Sequence, residues 1–222
     1  MNRNKYADDY KKLCDFDWDP NRLRSSSREC FMLSYLRDFT LNCSMCPLGR
    51  QKCSEHNEVF DPHVFSNMKQ SKFMVVGQNP GFNECKQGEP FVGDAGRFFN
   101  ECVESNGLSR GDFYISNVVK CHTVGNECPS INHVDICEGI LRLEISILKP
   151  YLVVTLGALS LGSFCPNLKL SEVVGKLVKS DRFGVNVFPI FHPSPRNMSS
   201  EHRRGSFIKC IKLLCKVVSV KK

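Results

Sequence analysis

No apolar run in this 222-residue chain approaches the roughly 20 residues that a membrane-spanning helix needs. The opening MNRNKYADDYKK lacks the apolar h-region of an export signal. There is no internal repeat and no low-complexity tract, which excludes repeat arrays and compositional disorder. G-x-G-x-x-G is also missing. The glycine loop GQNPG that follows an apolar run lacks that spacing, so a dinucleotide site is excluded. These absences lead us to expect a soluble, cytoplasmic protein, nuclear if the source is eukaryotic or has a viral host, and we expect a monomer.

What is present is ordinary in bulk and unusual in one residue. Hydrophobic residues make up 41% and charged residues 24%, the balance of a chain that folds around a core. The length suits one domain spanning 1-222. A net charge of +7 favours an anionic partner without saying which. Thirteen cysteines is a high and odd number. In a reducing compartment such thiols point to a metal or cluster rather than to disulfides.

Four runs have the unbroken apolarity of strands buried on both faces: KFMVVG (72-77), DFYISNVV (112-119), YLVVTLG (151-157) and VNVFPIF (185-191). Helical spacing marks 95-107 and 134-149 between them, and a further helix is expected around 30-39. The alternation predicts an α/β fold, a three-layer α/β/α sandwich around a four-stranded, mostly parallel sheet. Residues 1-60 should wrap this sandwich. The segment 200-222 should be a basic C-terminal helix with Phe207, Ile208, Ile211, Leu214, Cys215 and Val218 on its apolar face. Its lysines suit either solvent or DNA.

Ligands of an open parallel sheet bind beyond the carboxyl ends of its strands. Three runs end in polar or turn-forming residues: GQNPG (77-81), Asn117 within its run, and His192 in FHPSPRN. Each has a bland reading, as a turn, a satisfied amide or a His-Pro bend. Asparagine carries both a donor and an acceptor, which is what reading a nucleobase edge requires. Phe91 stands just before a helix. Cys43-Ser-Met-Cys46 is a CxxC, and Cys121 and Cys137 lie sixteen positions apart. Four thiolates can hold an iron-sulfur cluster or a structural zinc, and the spacing does not choose. Cys53 and Cys128 are rival ligands.

The order GQNPGFNECKQGEPFVGDAGRFF, SNVVKC, FHPSPRN resembles the uracil-DNA glycosylase superfamily, and its cysteine-bearing family 4 most of all, from about Cys43 to about Arg204. The usual family 4 first motif is GEAPG. The GQNPG found here is similar to the mismatch-specific and single-strand-selective branches. The resemblance implies a [4Fe-4S] cluster on Cys43, Cys46, Cys121 and Cys137, and uracil-containing DNA, single- or double-stranded, as substrate.

By the same resemblance His192 would donate to the base O2 as charge develops, Asn117 would pair with N3-H and O4, and Phe91 would stack on the ring. Gly77 and Gly81 would be substrate-binding positions, and Glu84 would sit near C5 and exclude the thymine methyl. Water positioning falls to Gln78 by its place in the motif or to Asn79 by the Asn-Pro branches, of which we prefer Asn79. Ser194, Pro195 and Arg196 would enter the duplex, while Arg203 and Arg204 would meet phosphates. A glycosylase for hydroxymethyluracil, hypoxanthine or xanthine is the alternative enzyme, and a non-catalytic DNA-binding accessory protein on the same fold is the alternative class.

Overall fold

The computed structural model describes residues 25–55 and 58–221. Residues 1–24, part of the expected wrap, lie outside the described residues. In chain order the elements are α1 (Ser25–Leu41), α2 (Pro47–Arg50), β1 (Cys53–Glu55), β2 (Glu58–Phe60), β3 (Phe73–Gly77), α3 (Phe82–Gln87), α4 (Asp94–Glu104) and β4 (Tyr114–Asn117). Then follow α5 (Ile131–Leu148), β5 (Leu152–Leu156), α6 (Ala158–Phe164), α7 (Leu170–Val173), β6 (Val178–Ser180), β7 (Val185–Ile190), α8 (Pro195–Met198) and α9 (Glu201–Lys221). None of the described helices is long and apolar enough to cross a membrane.

The central sheet has the order β4-β3-β5-β7-β6. Its first four strands are mutually parallel, and β6 pairs antiparallel to β7 at the edge. The sandwich is the expected one, with a fifth strand added. β6 escaped the sequence reading because Val178-Lys179-Ser180 is short and carries a lysine, as edge strands do.

Alternation along each strand divides the core into two layers. Met74, Val76, Tyr114, Val153 and Val187 face one side, where Leu33, Leu36, Ile140, Leu141, Leu161 and Phe164 from α1, α5 and α6 cover them. Val75, Ile115, Val154, Phe188 and Ile190 face the other, against Phe99 and Val103 of α4 and Phe207, Ile211 and Leu214 of α9. The apolar face expected for the C-terminal helix is buried as predicted, with Cys210 added and Ile208 half-buried.

From β3 the chain moves to one side to make β4, then returns across β3 to make β5. With right-handed crossovers, that reversal puts α4 and α5 on opposite faces and opens a crevice between the ends of β3 and β5. Asn117, Gly77, Leu156 and His192 all lie at the carboxyl ends bordering it.

Candidate active site

A cleft of about 660 Å³ opens at these strand ends. Gln78, Asn79, Gly81, Glu84, Phe91, Asn117, His192, Ser194 and Arg196 line it together. The sequence therefore named residues from four separate segments that the fold brings to one wall. Pro195 is exposed and starts the short helix α8, outside the lining.

Gly77 sets how tightly the pocket closes. A Cβ there would lie 2.4 Å from Asn117 Oδ1 and 2.6 Å from Phe91 Cε2, so only glycine lets the amide and the ring approach the strand together. Phe91 is 5% exposed and adopts a φ of 56°, a left-handed conformation that a bulky residue rarely takes. Arg110 holds it there: one guanidinium nitrogen donates to Phe91 O at 2.9 Å, and another donates to Pro90 O. Burial lowers the Arg110 pKa from its usual value, against an upward pull from Glu89 and Glu84. Sequence reasoning missed Arg110, which lies in an unremarkable SRGD turn.

Asn117 is 1% exposed, and neither Oδ1 nor Nδ2 has a hydrogen-bond partner. A buried amide is normally paired, because leaving it unpaired costs about 1–3 kcal/mol. Here the cost stands uncompensated on the cleft wall.

Asn79 is oriented by its neighbours. Its Nδ2 donates to Pro80 O at 3.0 Å and to Thr123 Oγ1 at 3.1 Å. The Thr123 hydroxyl spends its own proton on Glu127 O at 2.6 Å, so it must accept from Asn79. That leaves Asn79 Oδ1 as the end of the amide free to accept. His122 Nδ1 lies 2.9 Å from Pro80 O and must donate to it, fixing the same loop. Neither Thr123 nor His122 was singled out by the sequence. Gln78 makes no side-chain hydrogen bond among the described residues.

Glu84 lines the cleft and also ties its loops together. Its oxygens accept from the backbone N–H groups of Gly81 at 3.1 Å, Val92 at 2.9 Å and Gly93 at 2.7 Å. The carboxylate thus fastens the first loop to the loop carrying Phe91.

His192 stands 6.2 Å from the Phe91 ring, centroid to centroid. Burial depresses its pKa from 6.5 to about 4, against a smaller upward pull from Glu84. The imidazole is therefore neutral at pH 7. Gly157, at a φ of 91°, lets the backbone pass where a Cβ would come within 3.2 Å of His192 Cβ. Asn197 Nδ2 donates to His192 O at 3.0 Å, and its Oδ1 accepts from Arg203 at 3.0 Å. Arg203 and Arg204 are both exposed at the start of α9.

Behind the cleft the cysteines converge. Burial pushes the Cys121 thiol up beyond its ordinary range, and Cys137, Cys46, Cys43 and Cys85 each add to the shift. Burial likewise raises Cys137 to about 11, opposed by the backbone N–H and ammonium of Lys120 and reinforced by Cys46 and Cys43. Cys43 is raised by burial and by Cys46, against a hydrogen bond from Met45. Cys43, Cys46, Cys121 and Cys137 thus come together from three segments: the link between α1 and α2, the exit of β4, and α5. Among the described residues no group of three or more His, Cys, Asp or Glu is arranged to hold a single metal ion. Cys128 is exposed and lines the cleft instead, and the Cys53 side chain lies outside the described residues.

A family model for the Uracil DNA glycosylase superfamily matches residues 63–215. The chain is 36% identical over 165 residues to a type-4 uracil-DNA glycosylase of Thermotoga maritima, covering 73% of this chain and 82% of that protein. It is 33% identical over 162 residues to the type-4 enzyme of Archaeoglobus fulgidus, covering 69% and 77%. With that of Pyrobaculum aerophilum it shares 35% identity over 160 residues, covering 70% and 78%.

Proposed function

Since the chain belongs to the uracil-DNA glycosylase superfamily, we propose that it is a monofunctional uracil-DNA glycosylase, hydrolysing the N-glycosidic bond of deoxyuridine turned out of single- or double-stranded DNA in base excision repair. One observation carries the reading: the buried amide of Asn117, unpaired at both atoms, on the wall of the cleft. Uracil presents the complement, N3-H for Oδ1 and O4 for Nδ2. Cytosine offers an amine where Nδ2 needs an acceptor, so it leaves two donors facing each other.

The rest of the wall supplies the other requirements. Phe91 offers a ring face for stacking, which contributes roughly 1–3 kcal/mol per base and offsets part of the few kcal/mol of flipping. Neutral His192 donates to O2 as negative charge collects on the departing base, without itself releasing a proton to solvent. Asn79 Oδ1 accepts from water and orients it. An amide cannot take that proton at neutral pH, so the bond to the base must be largely broken before water attacks. Among the described residues no lysine lines the cleft, which supports hydrolysis over a Schiff base. Arg196, at its rim, would contact the DNA, and the exposed Arg203 and Arg204 would meet phosphates.

Cys43, Cys46, Cys121 and Cys137 fit a cluster as a donor set: four sulfurs from three segments, three of them buried and Cys43 half-buried. We assign them a [4Fe-4S] cluster. When bound it would supply a covalent fastening of three segments and hold the thiols deprotonated. The chemistry on the base belongs to the cleft.

The test is incubation with single- and double-stranded oligonucleotides containing one uracil, followed by alkali. Strand scission at the uracil that His192→Ala lowers at least a hundredfold, with DNA affinity kept, supports the reading. Scission by His192→Ala at the wild-type rate refutes it.

A further inference from the structure

Immediately behind the unpaired Asn117 amide lies an ion pair sealed from water. Lys120 is 1% exposed and Glu144 0%. Lys120 Nζ lies 2.5 Å from Glu144 Oε2, and it donates to Ser116 Oγ at 2.7 Å and to the backbone carbonyl of Asn117 at 2.6 Å. All three ammonium protons are therefore spent. The second carboxylate oxygen of Glu144 accepts from the Tyr114 hydroxyl at 2.8 Å and from the Ser116 hydroxyl at 2.7 Å. The network runs on from the Tyr114 hydroxyl to Ser66, and at its other end it meets the residue whose side chain is left open.

Such a pair is a poor device for stability. Taking both charges out of water costs several kcal/mol each, and well-packed apolar residues often do as well or better. What the pair provides is position. β4 ends at Asn117, and beyond it Val118 and Val119 bond to the carbonyls of Gly77 and Gln78 in the neighbouring loop. Lys120 then turns its side chain back onto the carbonyl of Asn117, three residues earlier. Its backbone N–H meets the Cys137 thiol on α5, the helix that also carries Glu144. The peptide bearing the base-reading amide is thus tied to α5.

The geometry points to Lys120 as a positioning residue for uracil recognition, with Glu144 as its anchor: together they fix the pitch of the Asn117 side chain through its backbone carbonyl. This rests on the reading of Asn117 given above. Misplacing a recognition group by about 1 Å can cost on the order of a hundredfold in rate, so releasing the carbonyl should be visible without any loss of fold.

The discriminating variant removes both charges at once, Lys120→Met with Glu144→Leu, leaving no unpaired ion in the core. It is compared with wild type and Asn117→Ala for thermal midpoint, affinity for undamaged single-stranded DNA, single-turnover release of uracil, and inhibition by free uracil. We expect the double variant to melt near wild type and bind undamaged DNA normally. Uracil release should fall at least tenfold, and inhibition by free uracil should weaken by a similar factor. A purely structural pair would leave both base-dependent quantities unchanged in a folded protein, and that result overturns the inference.

Should the double variant fail to fold, Ser116→Ala, which takes one contact from each charge and keeps the pair, is read the same way. A threefold or greater loss of uracil release at unchanged DNA affinity supports the positioning role, and no loss overturns it. If Asn117→Ala itself releases uracil at the full rate, the reading of the site falls. If Asn117→Ala is impaired and the charge-free variant is not, only the role of Lys120 falls.

Discussion

Replacing Asn117 with leucine should make the protein harder to unfold while abolishing its action on uracil. Both amide atoms are buried without a partner, so the wild type carries their desolvation cost uncompensated. Protein mutational data put that cost at about 1–3 kcal/mol. Leucine has nearly the same shape, fills the same space beside Gly77 and buries no polar atom. Removing the orphaned groups should therefore raise stability by about 1–3 kcal/mol, and at roughly 2–4 °C per kcal/mol for a chain of this size the midpoint should rise by about 2–12 °C. On the substrate side, two hydrogen bonds are lost and two uracil groups face an apolar wall. Together these exceed about 3 kcal/mol, or more than about a hundredfold in base release. Urea unfolding at fixed pH, with the midpoint moving up and the slope unchanged, reads the first effect, and single-turnover release from a uracil oligonucleotide reads the second. A variant no more stable than wild type would mean that the amide is satisfied in solution, and the argument from an open recognition group would fail.

Gly77→Ala should act on the same pocket from behind. The new methyl would fall 2.4 Å from Asn117 Oδ1 and 2.8 Å from Phe91 Cζ, so uracil release should drop about a hundredfold for an overpacking cost of only about 1–3 kcal/mol; wild-type turnover would contradict the contact. The pH profile tests His192. Between about 4 and 6.5 the unfolded chain binds a proton there and the folded one does not. The neutral imidazole's contribution to stability is thus complete above 6.5 and is lost as pH falls towards about 4. Base release should correspondingly stay level from neutral pH down to about 5.5, and a limb near 6.5 that disappears in His192→Gln would oppose the assignment. Protein purified without oxygen should be brown, with about four irons and four sulfides per chain, and Cys137→Ser should bleach it; a colourless protein with one zinc would reverse the cluster assignment.

The sequence by itself determined the four parallel strands, because β3, β4, β5 and β7 are buried on both faces and such strands must be apolar throughout. It also placed Gln78, Asn79, Asn117 and His192 at strand ends, since a polar residue closing an apolar run is a local signal. Only the tertiary structure decided what each is attached to. Glu84 reads as a solvated loop carboxylate until Val92 and Gly93 are brought against it. Arg110 is an ordinary turn residue until it reaches the carbonyl of Phe91, and Lys120 an ordinary lysine until Glu144 meets it from the helix α5 packed over β4. Local sequence sets periodicity and turns over a few residues. Partners eight to twenty-four positions apart are brought together only when the layers and their loops have packed.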